Sequence, residues 1–303
     1  MSAATTTRAG AIVPRALLAL LASASIARAA DGGVDGGAPL SPPAVGAAAP
    51  VSPPVYGSAD VSVFVSGACG SDRCLAIWNG YNYPYAMMID SDGSPLRRAA
   101  LALDGLAWQQ AVAFVGGDFV VATSSGSDIT LVRVAPDGSA AATNTVTLGT
   151  AITGVAVAWN GTHLLVAYQD PVGSDNATYT VRFDANTLSS LEAPRQLAMH
   201  SGACYVVANG SEFVVFAGQS PLQAWAMADS GQPRAGPVSM PTELSVSLQG
   251  VSANGTVVLL SGQGNLFRLA SDLSVSASNY AGSGSSGGLG WNGTSLLVAQ
   301  GGS

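Results

Sequence analysis

Short apolar runs, each broken by a tight turn and followed by another apolar run, recur from about residue 60 to the C-terminus. The clearest copy is VAVAWNGTHLLVA at 155–167, and it returns as LGWNGTSLLVA at 289–299. Between them lie CYVVANGSEFVVF at 204–216 and VSANGTVVLL at 251–260; a weaker copy, AVAFVGGDFVVA, precedes them at 111–122. Runs of this length, rich in Val and bounded by Asn and Gly, predict β-strands. Asn-Gly between two such runs predicts a two-residue hairpin of type I′, which needs positive φ at both central residues. Each copy therefore predicts one hairpin, strands A and B.

A second set of turn residues follows each hairpin: Ser91-Asp92-Gly93, Pro136-Asp137-Gly138, Asp184-Ala185-Asn186, Asp229-Ser230-Gly231 and, degraded, Ser271-Asp272. A β-rich run precedes each of them, at 85–89, 129–134, 179–183, 223–227 and 265–269. These predict a second hairpin, strands C and D. Four strands and two turns in a unit of about 45 residues is the pattern of a propeller blade. Turn-to-turn spacings through Gly70, Gly117, Gly161, Gly210, Gly255 and Gly293 are 47, 44, 49, 45 and 38 residues. The predicted fold is all-β, a β-propeller of about five full repeats plus a partial sixth that stops after strand B.

The first copy is out of phase with its own Trp78-Asn79-Gly80 string. Counting back from Ser91 places strand A at 61–68 and strand B at 75–78, with the A–B turn between Cys69 and Cys74. A Cys69–Cys74 disulfide is expected to staple this hairpin where the other copies use Asn-Gly. Two free thiols are the alternative.

The unit Val-Ala-Trp-Asn-Gly-Thr-x-Leu-Leu-Val-Ala, with its later Asp-Gly turn, resembles the Trp-Asn-Gly-x-x-Tyr-Leu-Val-Val-Trp repeats of large exported proteins in high-GC bacteria. The resemblance covers the chain from about residue 60 onward and is clearest in copies three and six. It implies a β-propeller module and carries no catalytic residues.

The ends change the picture from a domain to an exported domain. Arg8 and Arg15 precede an apolar and small-residue stretch at 16–27, and Ala27-Arg28-Ala29 supplies an A-x-A cleavage pattern. Residues 1–29 are thus expected to be a signal peptide, with an uncleaved anchor as the alternative. Residues 30–57 are built from Gly, Ala, Pro, Val and Ser and predict a flexible linker. The propeller domain is expected over 58–303, in a secreted, periplasmic or cell-surface protein with no integral membrane span after cleavage.

Charge narrows the partners. Ten per cent of the residues are charged, where about 25% is usual. Without Arg8, Arg15 and Arg28 the net charge falls from −7 to −10. That balance repels nucleic acid, which needs clustered cations. All 11 basic residues are Arg, a bias read as codon usage.

Candidate chemistry is sparse. His163 and His200 are isolated, whereas a zinc site wants three or four converging ligands. No Gly-x-Ser-x-Gly elbow supports a catalytic triad. The Gly/Ser stretch at 282–288 reads as a loop. Of the 15 Asp and 3 Glu, most Asp stand in turns. Asp90 and Asp92 form a calcium candidate, half of an EF-type loop that lacks the later acidic ligands; a plain turn is the competing reading, and no other cofactor is expected. Cys204 reads as a buried, inert thiol. The sequons at Asn160, Asn209, Asn254 and Asn292 coincide with hairpin turns, which explain them without glycosylation. Phe114, Trp159 and Trp291 share one strand-A position, either as packing residues between blades or as an aromatic ligand rim.

These features lean against an enzyme and toward a monomeric, non-enzymatic binding or adhesion module for a glycan or an extracellular protein. A carbohydrate-active or other hydrolytic enzyme is the first alternative, and a structural surface spacer the second.

Overall fold

The computed structural model describes residues 65–300 apart from 71, 80–83, 91–94, 100–108, 200–201, 219–220, 245–247, 254, 262, 281–286 and 292–295. The expected leader and linker, the start of the domain at 58, Asp92, His200, Asn254 and Asn292 lie outside the described residues.

Middle strands such as FVVA, LLVA, FVVF and VVLL are apolar at every position because both of their faces are buried. Blade 1 holds β1 (Val65–Cys69), β2 (Arg73–Asn79), β3 (Pro84–Asp90) and β4 (Pro95–Ala99); blade 2 holds β5 (Gln109–Val115), β6 (Asp118–Ser125), β7 (Asp128–Val134) and β8 (Ala140–Thr147). Blade 3 holds β9 (Gly154–Trp159), β10 (His163–Val172), β11 (Asp175–Asp184) and β12 (Arg195–Met199). Blade 4 holds β13 (Ala203–Asn209), β14 (Glu212–Gly218), β15 (Gln223–Met227) and β16 (Pro233–Ser239). Blade 5 holds β17 (Gln249–Ala253), β18 (Thr256–Leu260), β19 (Asn265–Leu269) and β20 (Val275–Tyr280). β21 (Gly287–Trp291) and β22 (Leu296–Gln300) form a two-stranded sixth sheet among the described residues.

Every four-stranded sheet is an antiparallel meander in chain order. The first strands of successive blades lie side by side, β1 by β5, β5 by β9, β9 by β13, β13 by β17 and β17 by β21, and β21 returns to β1. The chain is therefore a β-propeller of five four-stranded blades, closed around its axis by a two-stranded sixth sheet.

The core is divided into layers between blades. On β6, Phe119 and Val121 face blade 1 while Val120 and Ala122 face blade 3. On β10, Leu164, Val166 and Tyr168 turn toward blade 2, and Leu165 and Ala167 toward blade 4. The period of two sends alternate residues to opposite neighbours. Each fully buried Leu or Phe contributes roughly 1.5–3 kcal/mol by leaving water. Inner strands pack tightly where they crowd the axis: a Cβ on Gly250 of β17 would stand 2.5 Å from Cγ2 of Val207 on β13.

The A–B turns correct one expectation. Asn209 pairs with Glu212, so the central residues are Gly210 and Ser211, and only Gly210 has positive φ, at 62°. In blade 3 the reversal likewise falls on Gly161, at φ 99°, and Thr162. Asn160 precedes the turn, and its Oδ1 accepts from the N–H groups of Thr162 and His163 at 3.0 and 2.8 Å. Blades 3 and 4 thus turn one residue later than a type I′ Asn-Gly. A Gly at the first central position suits a II′ geometry, and Asn serves as an acceptor instead of adopting positive φ. Blade 2, with Gly116 and Gly117 at 58° and 107°, has both central residues positive. In blade 1, Cys69 pairs with Cys74, and a disulfide joins them.

Arginine has a structural task that codon usage does not supply. Arg73 donates through Nη1 to the Pro136 carbonyl at 2.7 Å, and Arg133 donates through Nη2 to the Ala185 carbonyl. Arg182 Nη1 reaches the Asp229 carbonyl at 2.7 Å, and Arg234 Nη2 the Ser271 carbonyl at 3.3 Å. Each acceptor lies in the C–D turn of the next blade. Each guanidinium also pairs with an acid of its own blade: Asp72 at 3.6 Å, Asp118 at 3.7 Å, Glu192 at 3.1 Å and Glu212 at 2.9 Å. The planar fork can hold an acid on one side and a carbonyl on the other, which a lysine ammonium does less well. Four successive blade interfaces, 1–2 to 4–5, carry this staple. The fit is close at blade 4, where a Cβ on Gly231 would collide with Glu192 and approach Arg182 Nε to 2.8 Å.

Candidate functional site

Because strands B and D run back from the turns that precede them, the described A–B and C–D turns share one face. On that face the blade 3–4 joint is closed by polar contacts. Asn160 Nδ2 donates to the Ser211 carbonyl and to Asp229 Oδ1, both at 2.7 Å, and His163 Nδ1 lies 2.7 Å from the same Asp229 Oδ1. The Asn160 amide nitrogen is fully engaged, consistent with a turn residue rather than a glycan acceptor. Hydrogen bonds from His163 and then Asn160 hold the Asp229 carboxyl below its ordinary range. His163, expected as an isolated surface residue, is instead tied to the neighbouring blade.

The blade 2–3 joint is different. Here a notch of about 160 Å³ opens between the two A–B turns. Gly116 and Gly161 form its rims, and Trp159, Arg133, Asp118 and Asn186 line it. Trp159 leaves β9 at the position where Phe114 leaves β5, yet the two rings settle differently. Phe114 lies so close to Gly70 of blade 1 that a Cβ there would strike the ring, and it meets Phe119 edge-on at 5.3 Å. Trp159 stands off Gly116 of blade 2, where an added Cβ would stay 3.9 Å from Cη2. That looser contact leaves the notch. Trp159 Nε1 and Arg133 Nε are out of contact with solvent and make no hydrogen bond. The Arg133–Asp118 approach of 3.7 Å is an ion pair too long to satisfy Nε.

No family model matches the chain. No curated protein matches it either. Solved structures do. BamB from Moraxella catarrhalis is 13% identical over 81% of this chain and 82% of its own, with a TM-score of 0.40. BBS1N in complex with ARL6DN is 14% identical over 75% and 72%, with a TM-score of 0.49. A nidogen/laminin complex is 11% identical over 72% and 80%, with a TM-score of 0.46. Likenesses this distant transfer no partner or activity, and the propeller assignment rests on this chain's own sheets.

The remaining candidates are dispersed. Asp90 ends β3 opposite Arg73. Among the described residues no three His, Cys, Asp or Glu side chains come together as metal ligands. Cys204 is buried beside the Ala167 carbonyl at 3.7 Å, and burial pushes its thiol up to about 12. Trp291 ends β21 in the sixth sheet, away from the blade 2–3 joint, and its side chain lies outside the described ones. Among the described residues no helix is long and apolar enough to cross a membrane. Sequence reasoning named Trp159 but missed Arg133 and Asp118. Their only signal was an Arg placed two or three residues before a C–D turn, in blades 2 and 3 alike.

Proposed function

We propose that the chain is an exported, monomeric, non-enzymatic binding module of the Trp-Asn-Gly repeat type, whose glycan or extracellular protein ligand seats on the A–B face at the blade 2–3 notch. The notch supports this reading. It joins one large aromatic to a few convergent polar groups, the usual make-up of a ligand site. Its volume of about 160 Å³ is ring-sized, since a cavity of about 150 Å³ takes a benzene molecule. Asp118, its carboxylate, is held by Arg133 rather than presented beside a second acid. The signal-peptide pattern supports export, and the Cys69–Cys74 disulfide suits an oxidising compartment.

The test is a thermal-shift screen of the full chain against saccharides, wall fragments, extracellular proteins and divalent cations. A ligand at a hundred times its Kd adds about 2.7 kcal/mol, which for a domain of this size is a rise of roughly 5–10 °C. The expected result is such a rise in the wild type and its loss in Trp159→Ala. A hit that survives Trp159→Ala unchanged overturns the placement. A calcium-only shift would move attention to Asp90 and Asp92.

A further inference from the structure

We infer that Asn209 is a spontaneous deamidation site, where an A–B turn asparagine converts to aspartate and isoaspartate, while the equivalent Asn160 is locked against the same reaction. The chemistry needs only the chain and water. The backbone nitrogen of the following glycine attacks the side-chain Cγ. The bond from Cγ to Nδ2 breaks, and Nδ2 leaves as ammonia with the proton that the backbone nitrogen gave up. Water then opens the five-membered imide at either carbonyl, leaving one new negative charge. Glycine at the attacking position puts no side chain in the way. Asn160-Gly161-Thr162 and Asn209-Gly210-Ser211 are matched in sequence, and each forms the A–B turn of its blade. Both glycines are exposed and at positive φ, and a Cβ added to either would meet nothing within 4 Å. The glycines therefore do not separate the two sites.

The asparagine side chains do. Asn160 is buried and held at both ends of its amide. Its Oδ1 accepts from the Thr162 and His163 N–H groups, and its Nδ2 donates to the Ser211 carbonyl and to Asp229 Oδ1. The Nδ2 bonds must break before ammonia leaves, and attack needs a close, aligned approach that a fixed amide does not make. Asn209 is half-buried and makes no side-chain hydrogen bond among the described residues. The reason lies in the next blade. The C–D turns of blades 4 and 5 close alike, from Ala228 N–H to the Gln232 carbonyl and from Ala270 N–H to the Ser274 carbonyl, both at 2.9 Å. Ser271 therefore stands where Asp229 stands, and at that position blade 5 has no carboxylate to anchor an asparagine. The place of His163 is taken by Glu212, which is engaged with Arg234 at 2.9 Å. A carboxylate created at 209 lies directly opposite Glu212, its cross-strand partner, and like charges so placed repel.

The experiment incubates the full chain in mildly alkaline buffer, folded and, in parallel, unfolded in urea. Peptide mapping by mass spectrometry follows aspartate and isoaspartate at residues 160 and 209. In the folded chain Asn209 is expected to convert about tenfold faster than Asn160 or more, since Asn160 must first give up two hydrogen bonds. In urea the two rates are expected to converge, because the native contacts are gone and the local sequences match. Asp229→Ala is expected to raise the Asn160 rate in the folded chain, with a cooperative urea melt as the check that the variant is folded. The urea comparison uses the wild type, so the test stands even if that variant does not fold. Equal rates in the folded chain, or an Asn209 that converts only in urea, would overturn the inference. A gap that persists undiminished in urea overturns it too, since the difference would then lie in the sequence and not in the lock. An Asn160 rate unmoved in folded Asp229→Ala overturns the part played by the carboxylate.

Discussion

Arg182 is the most buried of the four inter-blade arginines, and its removal gives a sharp test of the staple. Its guanidinium meets both oxygens of Glu192, at 3.1 and 3.3 Å, and the Asp229 carbonyl at 2.7 Å. The two charged side chains are 16% and 23% exposed, well below the exposure at which ion pairs contribute little. Arg182→Ala leaves a half-buried carboxylate and a carbonyl without partners. Losing hydrogen bonds to charged groups costs roughly 1.5–3 kcal/mol each, and breaking a buried pair 3–5. The contacts share one side chain and do not add, so the expected loss is about 3 kcal/mol. Arg182→Lys keeps the charge but cannot hold the acid and the carbonyl together, and loses about half as much. Urea denaturation reads both, as a lower midpoint at constant m-value. A double-mutant cycle with Glu192→Gln is expected to show a coupling of about 1 kcal/mol or more. The staple reasoning would be refuted if Arg182→Ala lost no more than about 0.5 kcal/mol, the size of an ordinary surface change. Lysine performing as well as arginine would refute the part played by the fork.

Leu273 occupies the C–D turn slot that Gly138 and Gly231 fill elsewhere, at φ 70° and 1% exposure. Leu273→Ala keeps the left-handed strain and loses the burial, so it is expected to be less stable than Leu273→Gly by about 1 kcal/mol in urea melts, the reverse of the usual order. Asp229 has a lowered folded-state pKa, so its contribution is fully present above the unfolded carboxylate value of 3.8 and fades as pH falls through the folded one. Acid titration of stability should therefore be shallower below pH 3.8 in Asp229→Asn than in the wild type. The disulfide closes a separation of 5 residues, which in the chain-entropy picture stabilises by about 2 kcal/mol. Replacing Cys69 and Cys74 with Ser together should lower the melting point by roughly 4–8 °C, and a larger fall would mean that blade 1 depends on the bond for its geometry.

The blade plan was legible because it is written in local chemistry. Apolar runs such as LLVA and FVVF set the middle strands, and Asp-Gly turns set the C–D reversals, each within a few residues of its own cause. The Cys69–Cys74 pairing could be found by phase alone, since the repeat length placed both cysteines at a hairpin turn. Local chemistry also misled. Asn160 and Asn209 were assigned positive φ because Asn-Gly favours it, but Asn is equally good as the acceptor that precedes a turn, and residue type does not separate the two. The staples were hidden for another reason. Their acceptors are backbone carbonyls between 37 and 63 residues away, so no side chain marks them.

The notch shows how a repeat scaffold opens a cleft at a packing position. Phe114, Trp159 and Ala208 stand at one register point, paired with Phe119, Leu164 and Phe213. Phe114 presses onto Gly70 and fills its joint. Where Ala208 stands, Asn160, His163 and Asp229 close the next joint with hydrogen bonds. At the joint between these two, Trp159 packs against the blade 2–3 core while its ring stays off the Gly116 turn. In a nearest-neighbour architecture such a misfit weakens one interface and leaves the others intact. The misfit survives because Arg133 still ties Ala185 across the joint. The same arginine therefore holds the two blades together and walls the notch, so a ligand seated there as proposed would add to the stability of that interface.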